Sequence, residues 1–229
     1  VHDFLDNFQS DAEALLINGL LFLNDKSYHS LAVNYFRQSA LLENTTAMLK
    51  LSNMLLFGDG VEINLQQSVH YCKLAAEKGN FQAMNNYANR LREGTGVKIN
   101  IPEAIRYYKK AIELGEMSFA MNNYANMLRF GLGVEVNIPE AIHYYKMAIQ
   151  KGNSDAMNTY AIMLLNGYGV EVNKPEAIKY LERAISLGDV KAMKNYAAIL
   201  FNGDGIEVNK VEAIGYIKMA ADKGDSFAM

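Results

Sequence analysis

Gly94-Thr95-Gly96-Val97-Lys98-Ile99-Asn100-Ile101-Pro102-Glu103 ends one helix and begins another. The two glycines halt the preceding helix, since glycine takes positive φ cheaply and costs about 1 kcal/mol relative to alanine within a helix. Asn100 then supplies an N-cap, with Glu103 at N3 in a variant of the capping box. Pro102 falls in the first turn, where its missing N–H is not needed. The stretch therefore reads as a joint between two helices.

The same joint occurs at Gly58-Asp59-Gly60-Val61, Gly131-Leu132-Gly133-Val134, Gly167-Tyr168-Gly169-Val170 and Gly203-Asp204-Gly205-Ile206. Counted between first glycines, the spacings are 36, 37, 36 and 36 residues. The cap returns at Asn137-Ile138-Pro139-Glu140 and Asn173-Lys174-Pro175-Glu176, without proline at Asn209-Lys210-Val211-Glu212, and earliest as Asn64 with Gln67. A fixed period in this range means one supersecondary unit copied in tandem, each copy burying its apolar face against its neighbours. Such a chain has no single closed core. It points to an extended surface that holds other molecules.

Residues 81–115 show what one copy contains. Met84, Tyr87, Ala88 and Leu91 form the stripe of a first helix, A. Ala104, Ile105, Tyr108, Ala111 and Ile112 line the inner side of a second helix, B. Gly115 reads as its C′ residue in the left-handed region, matched by Gly79, Gly152, Gly188 and Gly224. Small alanines recur at Ala104, Ala141, Ala177 and Ala213, where two helices can approach closely. One extra residue falls between Gly115 and Ala120, in the turn between copies. Upstream the pattern decays. Tyr35, Ala40 and Met48 hold register with Tyr71, Ala76 and Met84, but Asn24-Asp25-Lys26-Ser27 has lost both glycines.

The expected organisation is a degenerate capping repeat at 1–44, then repeats at 45–80, 81–116, 117–153, 154–189 and 190–225. Residues 226–229 begin a further one, truncated in a fragment of a longer polypeptide. The expected fold class is all-α: an α/α right-handed superhelical solenoid of about six helix-turn-helix repeats with a 36-residue period.

Composition removes several function classes. The 22 basic and 25 acidic residues leave a net charge of −3 with no basic cluster, against nucleic-acid binding by phosphate neutralisation. Leu15 to Leu23 is too short to span a bilayer. Cys72 is the only cysteine, so no disulfide forms within the chain, and a reducing compartment such as the cytoplasm is favoured. Its register partners Tyr108, Tyr145, Leu181 and Ile217 make it a small hydrophobe in a packed site.

Ala83, Ala88, Gly94-x-Gly96-Val97, Asn100, Glu103-Ala104, Tyr107 and Ala111 together resemble the Sel1-like repeat, a relative of the tetratricopeptide repeat. The resemblance covers 45–229 well and 11–44 weakly. It implies the superhelix named above, serving as an adaptor or scaffold in protein complexes. Cysteine-rich secreted members carry paired cysteines that this chain lacks. Arrays joined to kinase domains also occur, which gives the alternative reading of a regulatory or targeting arm of a larger enzyme.

No catalytic group emerges. The Gly-x-Gly loops follow helices rather than strands and lack the Gly-Lys-Ser/Thr of a phosphate cradle, so their glycines (Gly58, Gly60, Gly94, Gly96, Gly131, Gly133, Gly167, Gly169, Gly203 and Gly205) are structural. His70 and His143 share a position held elsewhere by Arg106 and Lys179, a solvated face of helix B. Neither metal-ligand spacing nor a nucleophile–base set is present, and no cofactor is expected. The capping glutamates have a structural task.

The expected site is the helix-A face, the concave side by resemblance to tetratricopeptide packing. Positions one and five after the core methionine are Asn85 with Asn89 and Asn122 with Asn126, followed by Arg92 and Arg129. Farther on they become Asn158 with Ile162, then Lys194 with Ala198. Two short asparagine ladders beside guanidinium groups could hold an extended peptide, asparagine pairing with its backbone and arginine with a carboxylate. The competing reading is a solvated face, or asparagines bonded to neighbouring repeats. A protein or peptide is the expected partner, with no nucleic acid and no membrane insertion.

Overall fold

The computed structural model describes residues 2–115 and 117–223, with side chains from residue 11 onward. It is all-helical among these residues. Two compact units are distinguished, residues 1–120 and 121–229. Gly224 and the start of a further repeat at 226–229 lie outside the described residues.

The first unit pairs α1 (His2–Phe22) with α2 (His29–Leu41), α3 (Thr45–Phe57) with α4 (Leu65–Glu77), and α5 (Phe81–Glu93) with α6 (Ile101–Gly115). A single 3₁₀ turn, Lys26–Tyr28, stands where the first pair lacks its glycines. There the Asp25 carboxylate accepts from the Ser27 N–H at 2.9 Å. α7 (Ser118–Phe130) begins in this unit and continues into the second, which holds α8 (Ile138–Gln150), α9 (Ser154–Asn166), α10 (Lys174–Ser186), α11 (Val190–Asn202) and α12 (Lys210–Asp222).

The buried stripe is the expected one. Met84, Ala88 and Leu91 on α5 and Ala104, Tyr108 and Ala111 on α6 are buried, as are Met157, Ala161, Leu164, Ala177, Leu181 and Ala184 in the second unit. Each fully buried large side chain contributes about 1.5–3 kcal/mol. Ile105 and Ile112 are only half-buried, and Tyr107 is buried in their stead. Its ring meets Tyr87 edge-on at 5.0 Å, a contact repeated by Tyr160–Tyr180 at 5.4 Å and Tyr196–Tyr216 at 5.1 Å.

The two loop glycines have different tasks. The first, as at Gly94 (φ +77°), ends helix A in the left-handed region. The second docks the loop. A Cβ on Gly96 (φ +71°) would lie 2.8 Å from the Leu65 carbonyl oxygen at the start of α4, and one on Gly169 only 2.1 Å from Ile138 at the start of α8. Each of these loops thus presses on the first residue of helix B in the preceding repeat. Charge supports the same docking where Lys174 Nζ meets Asp204 at 2.5 Å, and where His29 Nδ1 meets Asp59 at 2.5 Å.

Three local expectations change. Glutamate at N3 does not reach back to the cap's backbone N–H, because that N–H already donates to helix A: Asn137 N to the Leu128 carbonyl and Asn173 N to that of Leu164, both at 2.9 Å. Glu140 and Glu176 accept instead from the cap's side-chain amide at 2.9 Å, while Glu103 pairs with Arg106. Gly115 is helical, without positive φ. A Cβ there would meet the Phe81 ring at 2.5 Å, so close approach requires the glycine. The extra residue accompanies a lengthening of α6 to 15 residues where α8 has 13. The sequence reading also missed the caps of the A helices, Asn44, Asn80, Asn153 and Asp189, each accepting from an alanine N–H.

Candidate functional site

The asparagines five residues after the core methionine belong to their own hairpins. The Tyr108 hydroxyl donates to Asn89 Oδ1 at 2.5 Å, and that of Tyr145 to Asn126 Oδ1 at 2.7 Å. Burial pushes both hydroxyls up to about 12, so each remains a donor at neutral pH. The register carries the same pairing in sequence: where the tyrosine becomes Leu181 or Ile217, the asparagine becomes Ile162 or Ala198. Both buried hydroxyls thus have their polar partner, while in the earlier copy Asn53 stands opposite Cys72 and lines the surface recess instead.

The asparagines one residue after the methionine do not point outward as expected. Asn85, Asn122 and Asn158 are 5%, 7% and 8% exposed. Asn158 lies against the next A helix, where Asn195 Nδ2 donates to its Oδ1 at 2.7 Å. Asn85 Nδ2 donates to Asn86 Oδ1 at 3.3 Å, and Asn122 Oδ1 is buried without a hydrogen-bond partner.

The basic members of the set are half-buried. Arg92 pairs with Glu93. Arg129 lies over the Phe130 ring at 4.7 Å and the Tyr168 ring at 6.0 Å. Lys194 borders an apolar recess of about 360 Å³ between α11 and α12, walled by Ala198, Phe201, Ile214 and Ile217.

In the first unit the recess is polar. It measures about 310 Å³ and lies between α3 and α5, bounded by Asn53, Phe57, Asn86, Asn89, Arg90 and Thr95. The core beside it differs from every later repeat. Ser52 and Ser68 replace paired alanines and donate to each other's carbonyl oxygens at 2.7 and 2.5 Å. Cys72, fully buried as its register indicated, donates weakly to the Ala83 carbonyl at 3.5 Å, and burial pushes its thiol up.

Arg90 occupies the position of Met54, Met127, Met163 and Ile199. It is 4% exposed, its Nη1 has no hydrogen-bond partner, and burial lowers its affinity for the proton. The sequence reading passed over it, although an arginine in a methionine register was there to be seen.

His29 is buried, with Nδ1 toward Asp59 and Nε2 toward the Leu23 carbonyl at 3.1 Å. The Asp59 contact raises its pKa above the ordinary histidine value. His70 and His143 are exposed. Among the described residues no group of three His, Cys, Asp or Glu side chains converges as a metal site, and no helix is long and apolar enough to cross a membrane.

The Sel1 repeat profile matches residues 45–80, 81–116, 118–153, 154–189 and 190–225. The chain belongs to the Sel1 repeat family. Sel1 repeats generally mediate protein–protein interaction and are typically non-catalytic. A Sel1 repeat protein from Oxalobacter formigenes has a similar structure, with TM-score 0.86 at 25% identity, over 93% of this chain and 86% of that one. The immunity protein Pa5087 from Pseudomonas aeruginosa is similar at TM-score 0.63 and 22% identity, covering 80% of this chain and 67% of that one. A putative Sel1 repeat protein from Klebsiella pneumoniae gives 0.57 and 20%, over 86% and 95%. The latter two likenesses concern the fold alone. The comparison with proteins of curated function gives no match.

Proposed function

We propose that this chain is a non-catalytic scaffold whose helix-A face holds a peptide segment of a protein partner. The observation that carries the reading is the polar recess between α3 and α5, open beside Asn53 and Asn86. A second recess of about 340 Å³ shares both residues and adds Lys50 and Gln82. Side-chain amides at this density can donate to and accept from an extended backbone without demanding a particular sequence. The second unit has a recess of its own, bordered by Lys194 and walled by Phe201, Ile214 and Ile217, which suits an apolar segment.

The test is capture on a peptide array. A quadruple substitution of Asn85, Asn89, Asn122 and Asn126 would disturb buried groups and hydroxyl partners, so the informative variant is Lys50→Ala/Asn53→Ala/Asn86→Ala. Capture by wild type that drops roughly tenfold or more in this folded variant supports the reading. Equal capture by both places the partner elsewhere, and a failure of wild type to capture any peptide rejects the scaffold reading itself.

A further inference from the structure

We propose that Arg90 is the anchor of this site, receiving a glutamate or aspartate side chain of the bound peptide in the recess between α3 and α5. The inference rests on the peptide-binding reading and adds the residue and the ligand chemistry.

Four substitutions meet at one junction, and one of them, Cys72, makes room for a guanidinium that has no carboxylate of its own. Arg90 lies near Cys72, which in turn neighbours Ser52 and its partner Ser68; at the register-equivalent positions the second unit has Leu181, Ala161 and Ala177. Cysteine in place of a tyrosine or leucine leaves volume for the longer arginine. The two serine hydroxyls are committed to each other's helices and the thiol is neutral, so none of them balances the charge. Glu93, the acidic side chain at the recess, is held by Arg92. No ion pair includes Arg90 among the described residues.

A buried, unpaired guanidinium is costly, and a methionine of nearly the same length fills this register in other repeats at no such cost. Residues that weaken a fold without local compensation mark function. Arg90 also lines the recess itself, beside amides of Asn53, Asn86 and Asn89 and the exposed ring of Phe57. An entering carboxylate would accept from the guanidinium in a low-dielectric setting, where a charge-assisted pair is strong, while the amides hold the peptide backbone on either side.

The decisive measurement follows the through-bond-assigned Arg90 Nε–Hε NMR signal of the wild-type chain. Acetyl-Ala-Glu-Ala-amide, at millimolar concentration, should shift it saturably, and acetyl-Ala-Gln-Ala-amide should bind roughly tenfold or more weakly. Arg90→Met, which restores the residue of other repeats, should fold with an equal or higher melting temperature and lose the preference for glutamate. An unmoved signal, an equal response to both peptides, or saturation by sodium chloride alone overturns the proposal. On the array, capture without an acidic preference, or with one that Arg90→Met retains, overturns it and leaves the scaffold standing; no capture at all removes both.

Discussion

Two register-equivalent junctions, one in each unit, share a backbone and differ in chemistry. Ser52, Ser68, Cys72 and Arg90 occupy the first; Ala161, Ala177, Leu181 and Ile199 occupy the second, all buried. The helices, caps and loops around them match. The period therefore fixes helix spacing and the volume each position must fill, while polarity inside the stack is free to vary as long as hydrogen bonds close. The serine pair closes its own. Arg90 does not, and that separates it from a neutral variation.

The comparison is tested most severely by Ile199→Arg. The second junction retains Leu181 and has neither added volume nor polar neighbours, so the charge should cost about 3–5 kcal/mol, read by urea denaturation. A loss below about 1 kcal/mol would mean that any junction tolerates arginine, and Arg90 would lose its meaning. Next is Gly96→Ala. Positive φ and the Leu65 carbonyl at 2.8 Å should together cost about 2–3 kcal/mol, with Gly169→Ala comparable against Ile138. An unchanged midpoint for either would show that the shared backbone does not depend on loop docking.

Tyr108→Phe should cost about 1 kcal/mol, because it removes the hydroxyl that Asn89 accepts, while Tyr108→Phe/Asn89→Ile, an apolar pair like Leu181 with Ile162, should recover part of it. Failure to recover would dissolve the link between the two positions. The smallest effect is the pH response of the first loop. The pKa of His29 is raised in the folded state, so its stabilisation is complete below the unfolded value near 6.5 and is lost as pH rises through the folded value. The melting temperature of wild type should fall across that window more than that of His29→Gln.

Much of this was legible because glycine and asparagine punctuate the chain. Gly94, Gly96 and Asn100 announce local backbone geometry, and local geometry needs no knowledge of neighbours. The misses are residues whose environment comes from another helix. Asn158 faces away from its own stripe, yet Asn195 on the next A helix covers it. Glu140 finds its expected partner already taken by Leu128. Gly115 resembles Gly79 in sequence, but a ring on the preceding helix explains it. Asn89 and Arg90 were both decipherable by reading down the columns of the repeat rather than along the chain: tyrosine travels with asparagine, and arginine stands in a methionine column.

The docking of the Gly60, Gly96, Gly169 and Gly205 loops on the first residue of the previous repeat's B helix sets rules for how such a gene can lengthen or shorten. Excising or duplicating a segment keeps every latch closed only if the new neighbours agree in size and sign. Ile138 under Gly169 is interchangeable with other apolar latches, whereas Lys174 under Asp204 is not, since a shuffled order would leave a carboxylate above an aliphatic side chain. Ionic latches thus record which repeats are original neighbours, and apolar ones mark where copies can be inserted.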